Sequence, residues 1–335
     1  MNPMSAPSLG WGIAGVGKIA ETVVECLLKA TSQRLVAVGS RSMERAQTFA
    51  EQFGAPRAYA SYADLVADPE VQVVYVATVN STHHDIAALA LRAGKAVLLE
   101  KPFTLDQAEA ADLAALAARH GTFLMEAMWT RFLPHIVELR RLVQTGRIGQ
   151  PLFGRADFGF HQAYDPASRL YSPALGGGAL LDVGIYPISW AVNLLGLPSG
   201  LSARAQLAPS GVDSQVSAIL DYGAGGAQVL VNASVGVTTP QDAWICGTEG
   251  MIQVTSPWWR PASLVIHSGD QVETWPQSAV PAQAAGYEYQ IAEVARRVSA
   301  GELESPVMPV AESVAIMGLL DTIRQDCGIV LSPSS

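Results

Sequence analysis

The segment Leu9–Ala30, LGWGIAGVGKIAETVVECLLKA, determines how the first part of the chain folds. A short apolar run, typical of a buried strand, leads into a turn with Gly15 and Gly17 and then into an amphipathic helical pattern. A second strand-like run, RLVAVGS, ends at Ser40. This order predicts a βαβ unit, in which a GxGxxA turn lets the backbone approach a dinucleotide pyrophosphate at the helix N-terminus.

A second motif overlaps the first. Residues 12–18, GIAGVGK, fit the GxxxxGK phosphate loop of nucleoside triphosphatases. The residue that follows is Ile19, so the hydroxyl that would bind magnesium is missing. The sequence therefore favours a dinucleotide site over a triphosphate site.

The end of the second strand bears on the choice of cofactor. An acid at this point binds the ribose 2′-hydroxyl of NAD, whereas a basic residue accommodates the 2′-phosphate of NADP. The sequence here is GSRSMER, with Ser40, Arg41 and Arg45 as candidate ligands. NADP is favoured; NAD, with Arg41 as an ordinary solvated arginine, is the alternative.

Strand and helix patterns continue to alternate, which predicts a parallel sheet covered on both faces. Glu100 and Lys101 follow the strand KAVLL, at the sheet edge where such folds bind ligands. Lys101, which precedes Pro102, is either a solvated charge or a catalytic group. His83 and His84 have no ligand cluster at suitable spacing, so we predict that they cap or pack near a helix start and that the protein holds no metal.

The segment GGGALLDVGIY, Gly176–Tyr186, places three glycines before an apolar helix that carries an acid and a phenol. Asp182 and Tyr186 are four residues apart, so they share one face of an α-helix about one turn apart. This face is either polar and catalytic, or Asp182 caps the helix and Tyr186 is a half-buried aromatic residue.

Composition limits the classes of partner. The 335 residues carry a net charge of −9, which gives no basic surface for nucleic acid or anionic lipid. We expect no secretory signal in the first residues and no membrane span, and three scattered cysteines predict reduced thiols. A soluble, cytoplasmic protein of two domains that binds a small molecule is expected.

Four blocks together, GIAGVGKIA, ATVNSTH, EKP and GGGALLDVGIY, resemble the glucose-fructose oxidoreductase, inositol dehydrogenase and MocA family of NAD(P)-dependent oxidoreductases. The segment LMEAMWTRFLP, residues 124–134, resembles its dihydrodiol dehydrogenase and D-xylose dehydrogenase branch. Tyr186 stands where much of the wider family has histidine, and Val79 where it often has proline. The tyrosine is typical of that branch, so the resemblance implies a changed proton carrier within the same general design.

The resemblance implies an α/β protein with a Rossmann domain at residues 8–125 and an α+β domain at 126–335, built on a large, mostly antiparallel sheet. Period-2 segments in the second half agree with such a sheet. The active site is expected between the domains, and a homodimer or larger assembly is expected through the second sheet. The candidate cofactor-binding residues are Gly15, Gly17, Lys18, Ile19, Ser40, Arg41, Arg45, Thr78, Asn80, His83, Glu100 and Lys101.

The resemblance also assigns the chemistry. Lys101, Asp182 and Tyr186 are the candidate catalytic residues, and Trp129 and Phe158 join them as candidate substrate-binding residues; Trp129 is equally well explained as core. An ammonium close to a phenol lowers its pKa from about 10, which would make Tyr186 a base. The predicted activity is hydride transfer between a sugar or vicinal diol and NADP. A keto-sugar reductase and a non-catalytic dinucleotide-sensing regulator are the alternatives.

Overall fold

The computed structural model describes residues 2–276 and 285–329, and these form two compact units. Described residues of the first unit lie in 2–129 and 285–314. Those of the second lie in 130–276 and 315–329.

The first unit contains a six-stranded parallel sheet. Its strand order is β3-β2-β1-β4-β5-β6, the arrangement of dinucleotide-binding domains, as the sequence predicts. Most of its residues are buried, because helices cover both faces. The strands are β1 (Gly10–Ala14), β2 (Arg34–Gly39), β3 (Arg57–Tyr59), β4 (Val73–Val76), β5 (Ala96–Leu99) and β6 (Leu124–Glu126).

Side chains fix where several helices of this unit begin. The hydroxyls of Ser42 and Ser61 and the carboxylate of Asp106 each accept a hydrogen bond from an amide three residues on. Each helix therefore starts at a defined point on the sheet. The helices are α1 (Lys18–Ala30), α2 (Met43–Phe53), α3 (Tyr62–Ala67), α4 (His83–Arg92), α5 (Gln107–His120) and α8 (Glu288–Ser299).

The domain boundaries differ from the expectation of 8–125 and 126–335. Residues 285–314 return to the first unit, where α8 packs against α1 and the amide of Leu124 donates to the carbonyl of Leu303. The expectation of one continuous second domain was wrong here. A sequence pattern shows that α8 has a buried face but not which sheet buries it.

The second unit is built on an eight-stranded sheet in the order β14-β13-β12-β11-β7-β10-β9-β8. All neighbouring strands are antiparallel except β7 and β10, which confirms the predicted mostly antiparallel sheet. The sequence analysis did not pick out β8 or β14, whose residues are largely exposed. The strands are β7 (Pro151–Gly159), β8 (Gly200–Leu207), β9 (Asp213–Asp221), β10 (Gln228–Ser234), β11 (Ala243–Gly247), β12 (Met251–Val254), β13 (Leu264–Ser268) and β14 (Gln271–Trp275).

Helices pack on one face of this sheet. This face carries the small and branched side chains of β7, β9 and β10, which are buried under the helical segment 180–195. The alternate residues of the same strands, such as Ile219 and Leu230, are exposed. The helices are α6 (Pro134–Gln144), α7 (Ile185–Leu195) and α9 (Val310–Cys327), whose residues from 315 onward belong to this unit.

The segment before α7 is not the regular α-helix that the spacing predicts. Leu180–Gly184 form a π-helical turn, in which the amide of Ile185 donates to the carbonyl of Leu180. Pro187 supplies a physical reason, because it has no N–H to donate to Val183 and its ring needs room beside that carbonyl. A π turn provides this room and often marks a functional site.

One segment, Pro173–Leu195, is long and apolar enough to cross a membrane by length and composition alone. However, 94% of its apolar 18-residue window is buried inside the protein, and the core helix of a globular domain passes the same test.

Candidate functional site

The glycine turn after β1 has the form that a bound dinucleotide requires. Gly15 has a φ of +100°, and a Cβ there would lie 2.6 Å from the carbonyl oxygen of Ala77. At Gly17 no atom lies within 4 Å of such a Cβ, and this residue precedes α1 without a capping side chain. Free space beside Gly17 at the N-terminus of α1 suits a pyrophosphate, which the first amides of a helix attract.

The adjacent residues Lys18 and Ile19 have different surroundings. The Lys18 ammonium is exposed and lies 3.1 Å from Glu21 on the same helix. Ile19 is partly exposed. Their contact with a cofactor stays a prediction.

At the end of β2, basic side chains are exposed. Ser40 is buried and its hydroxyl accepts a hydrogen bond from the amide of Ser42, whereas Arg41 and Arg45 are exposed. Both guanidinium groups are close enough to the Tyr62 hydroxyl to lower its pKa, although burial raises that pKa more. Two cations and a phenol therefore converge beside the strand end, a suitable arrangement for a phosphate group.

The loop after β4 packs against the buried side chain of His83. His83 is fully buried; its Nδ1 lies 2.8 Å from the carbonyl oxygen of Pro102, and its Nε2 lies 3.3 Å from that of Thr78. Burial lowers its pKa to about 4, so the ring is neutral at physiological pH. His83 thus packs between the loop of Thr78 and Asn80 and the turn after β5, and its neutral ring can donate a hydrogen bond to only one of the two carbonyl oxygens.

Lys101 lies in that turn and is partly exposed, and its bond to Pro102 is cis. The side chain of Glu100, in contrast, is buried and accepts a hydrogen bond from the Tyr75 hydroxyl. Burial raises the pKa of Glu100 to about 7, against the opposing effects of Tyr75 and the Lys101 ammonium. Glu100 is therefore buried beneath the turn, while Lys101 is partly exposed.

Trp129 is almost completely buried within the first unit. Its ring stacks on that of Tyr287, with centroids 4.2 Å apart. This contact agrees with the core interpretation, and its proposed contact with substrate stays a prediction.

In the second unit, Asp182 lies in the π-helical turn and is 6% exposed. Its Oδ1 lies 2.8 Å from Nη1 of Arg169, whose side chain is 57% exposed. The sequence analysis missed Arg169, because it lies in an irregular loop with no motif. Asp182 lies inside the turn and not at its N-cap position, which is Ala179, and its carboxylate pairs with a cation.

Tyr186 contacts an aromatic cluster in the same unit. Its ring lies 5.2 Å from that of Phe158, and Phe158 stacks on Trp259 at 4.3 Å. The guanidinium group of Arg260 lies over the Trp259 ring, 4.6 Å from its centroid. The structure thus brings Phe158 and Tyr186, two of the candidate substrate-binding residues, into contact and adds Trp259, which no sequence motif marked.

We find no metal site among residues 2–276 and 285–329, where no group of three or more potential ligands converges. All three cysteines are free thiols, with Cys26 buried and Cys246 and Cys327 partly exposed.

The family assignment follows from two matches to family models. Residues 9–128 match the oxidoreductase family with an NAD-binding Rossmann fold, and residues 136–253 match the GFO/IDH/MocA C-terminal domain. The chain belongs to the GFO/IDH/MocA oxidoreductase family. The family resemblance given by the four sequence blocks is thereby confirmed.

Relatives extend the comparison over nearly the whole chain. A trans-1,2-dihydrobenzene-1,2-diol dehydrogenase from Xenopus tropicalis is 35% identical over 326 residues, which cover 95% of this chain and 98% of the relative. A 3-ketoreductase from Actinomadura kijaniata, solved with TDP-benzene and NADP, is 26% identical with a TM-score of 0.82, covering 96% and 98% of the two chains. A levoglucosan dehydrogenase solved with NADH and levoglucosan has a TM-score of 0.85 at 21% identity, covering 96% and 97%.

Proposed function

We propose that this oxidoreductase is an NADP-dependent dehydrogenase that oxidises a hydroxyl of a cyclic vicinal diol or a sugar. The observation that carries the proposal is the phenol of Tyr186, which lies against Phe158 beside the stacked Trp259 ring. A titratable hydroxyl on an aromatic wall provides a proton acceptor and an apolar surface for a substrate ring. The similarity to a dihydrodiol dehydrogenase supports the same substrate class.

The cofactor would be held by the first unit. The glycine turn and the first amides of α1 would bind the pyrophosphate, and Arg41 and Arg45 the 2′-phosphate. The nicotinamide supplies the hydride acceptor when it is bound. One structural neighbour was solved with NADP, and the basic residues Arg41 and Arg45 at the end of β2 are the reason that we infer the same cofactor for this chain.

The protein's own side chains would manage the proton. In oxidation, the substrate hydroxyl would give its proton to the phenolate oxygen of Tyr186, and the carbon that bears this hydroxyl would give its hydride to a bound nicotinamide and become a carbonyl carbon. An ammonium favours the phenolate form of a tyrosine, which is the role we propose for Lys101. Asp182, paired with Arg169, would accept a hydrogen bond from the neighbouring substrate hydroxyl and so fix the ring orientation.

This activity is tested by an absorbance assay of nicotinamide reduction with a panel of trans-dihydrodiols, aldoses and inositols. We expect turnover with NADP and a cyclic diol or an aldose. The reverse assay, with NADPH and keto-sugars, covers the reductase direction, since hydride transfer is reversible. No turnover in either direction, with NADP still bound, would instead favour a non-catalytic regulator.

The cofactor preference yields a first prediction. Arg41→Ala is expected to weaken NADP binding roughly 10- to 100-fold, because a charge-assisted contact to phosphate is worth about 1.5–3 kcal/mol. NAD binding should stay nearly unchanged, since NAD has no 2′-phosphate. Dissociation constants for both cofactors are measured by calorimetry.

The matched control is Arg34→Ala, which removes an exposed arginine from the opposite end of the same strand. This variant should bind both cofactors like the wild type. Equal losses of NAD and NADP affinity in Arg41→Ala would contradict the assignment.

We also propose a homodimer formed through the open face of the second sheet. Ile219 and Leu230 pair directly across β9 and β10, and they are 39% and 43% exposed. Phe153 adds a third large apolar side chain that is 39% exposed, beside Arg155 on β7. An exposed apolar patch with polar neighbours on a sheet face is typical of a protein interface.

The second prediction follows from this patch. Ile219→Arg is expected to convert a wild-type dimer to a monomer, because two copies of the new charge would be buried near each other. Light scattering at micromolar concentration gives the mass. Val137→Arg, which alters an exposed apolar residue on α6, should leave the dimer intact. A monomeric wild type would overturn the proposal.

A further inference from the structure

Close contacts explain two of the three glycines before the π-helical turn, Gly177 and Gly178. A Cβ at Gly177 would lie 2.8 and 2.7 Å from the carbonyl oxygens of Arg169 and Leu170. At Gly178, where φ is +118°, a Cβ would lie 2.3 Å from Oδ1 of Asp213. The backbone thus passes directly against a carboxylate of the sheet, a position that only glycine allows.

Asp213 is the first residue of β9 and is 2% exposed. Its Oδ2 accepts a hydrogen bond of 2.6 Å from the amide of Leu180, the first residue of the π-helical turn. A buried carboxylate is costly unless such donors satisfy it. The contact therefore joins the sheet to the start of the segment that carries Asp182 and Tyr186.

The surroundings of Asp213 agree with this role. Burial raises its pKa to about 7, whereas hydrogen bonds from the amides of Leu180 and Ala179 and the charge of Arg324 act to lower it. Arg324, on α9, is itself 6% exposed. The strand, the helix start and α9 thus meet at one buried polar group.

We propose that Asp213 is a positioning residue for catalysis: its carboxylate fixes the first turn of the segment Leu180–Tyr186 and thereby the places of Asp182 and Tyr186. This inference rests on the proposed function. Asp182 lies only two residues after Leu180, whose amide donates to Asp213. A shift of this turn therefore moves the carboxylate of Asp182 directly. A displacement of about 1 Å at a reacting group can cost on the order of 100-fold in rate.

Two changes from opposite sides of the contact test the inference. Asp213→Asn keeps the side-chain shape and one acceptor oxygen but removes the charge. Gly178→Ala leaves Asp213 unchanged but places a methyl group against its carboxylate, which must then move. Both variants are expected to lower kcat roughly 10- to 100-fold, while KM and the dissociation constant of NADP stay within about twofold of wild type. Asp213→Ala, which lacks any acceptor, should be slower than Asp213→Asn.

The matched control is Asp106→Asn, which alters the capping carboxylate of α5, a helix with no candidate site residue. It should lose thermal stability and keep its kcat. The rates are compared well below the melting temperature of each variant.

The outcomes separate the two proposals. A wild-type chain without turnover overturns the proposed function. An active wild type whose Asp213→Asn and Gly178→Ala variants lose stability but keep kcat, like the control, shows that Asp213 only stabilises the fold. If Asp213→Asn does not fold, Gly178→Ala alone decides by its kcat.

Discussion

Tyr186→Phe is expected to lower turnover roughly 10²- to 10⁴-fold, the usual contribution of a general acid–base group. The change removes one oxygen atom and leaves the ring in contact with Phe158. NADP affinity should stay close to wild type, because the glycine turn and the basic residues that we propose to bind the cofactor belong to the other unit. The measurement is kcat under saturating substrate, together with the NADP dissociation constant.

Tyr222→Phe serves as the control for this variant. Its hydroxyl donates to the carbonyl of Gly196, outside the candidate site, so the variant should turn over like wild type. Tyr186→His should retain more activity than Tyr186→Phe, because histidine can carry a proton. A Tyr186→Phe enzyme with the wild-type rate, and with hydride transfer shown to be rate-limiting, would assign the proton to another group.

The Rossmann unit could be predicted from the sequence because its signals are local. Gly15 needs a positive φ and lies against the carbonyl of Ala77, so the motif, the strand before it and the helix after it all depend on neighbouring residues. The alternation of strands and helices then predicts a parallel sheet that is covered on both faces. The returning helix α8 could not be assigned to this unit, since its amphipathic pattern does not say which partner it packs on.

In the candidate site, too, the sequence predicts the residues that a local motif marks but not those that tertiary structure brings in. Tyr186 and Asp182 stand out because acid and phenol are unusual in an apolar helix, yet Pro187 converts the expected α-helical turn into a π turn. Trp259, Arg169 and Asp213 reach the site through tertiary structure, from a loop or a distant strand. Nothing in their local sequence distinguishes them from ordinary residues.

Lys101→Met is expected to lower turnover to a similar extent, roughly 10²- to 10⁴-fold, because it removes the ammonium that we propose to act on the substrate and the phenol. The residual activity gives the more specific result. An ammonium favours the phenolate, so its loss raises the pKa of the catalytic tyrosine toward its ordinary value of about 10. Since oxidation needs the phenolate, the rate of the variant should rise at a higher pH than that of wild type.

A methionine of similar length keeps the apolar part of the lysine, so the fold of the turn should persist with His83 and Pro102 in place. Lys29→Met, which removes an exposed lysine paired with Glu25 on α1, controls for the lost charge and should keep the wild-type pH profile. If Lys101→Met lowers the rate but the rate still rises at the same pH as in wild type, Lys101 orients the substrate and does not lower the pKa of Tyr186. The pH dependence therefore separates two roles that a loss of rate alone would not distinguish.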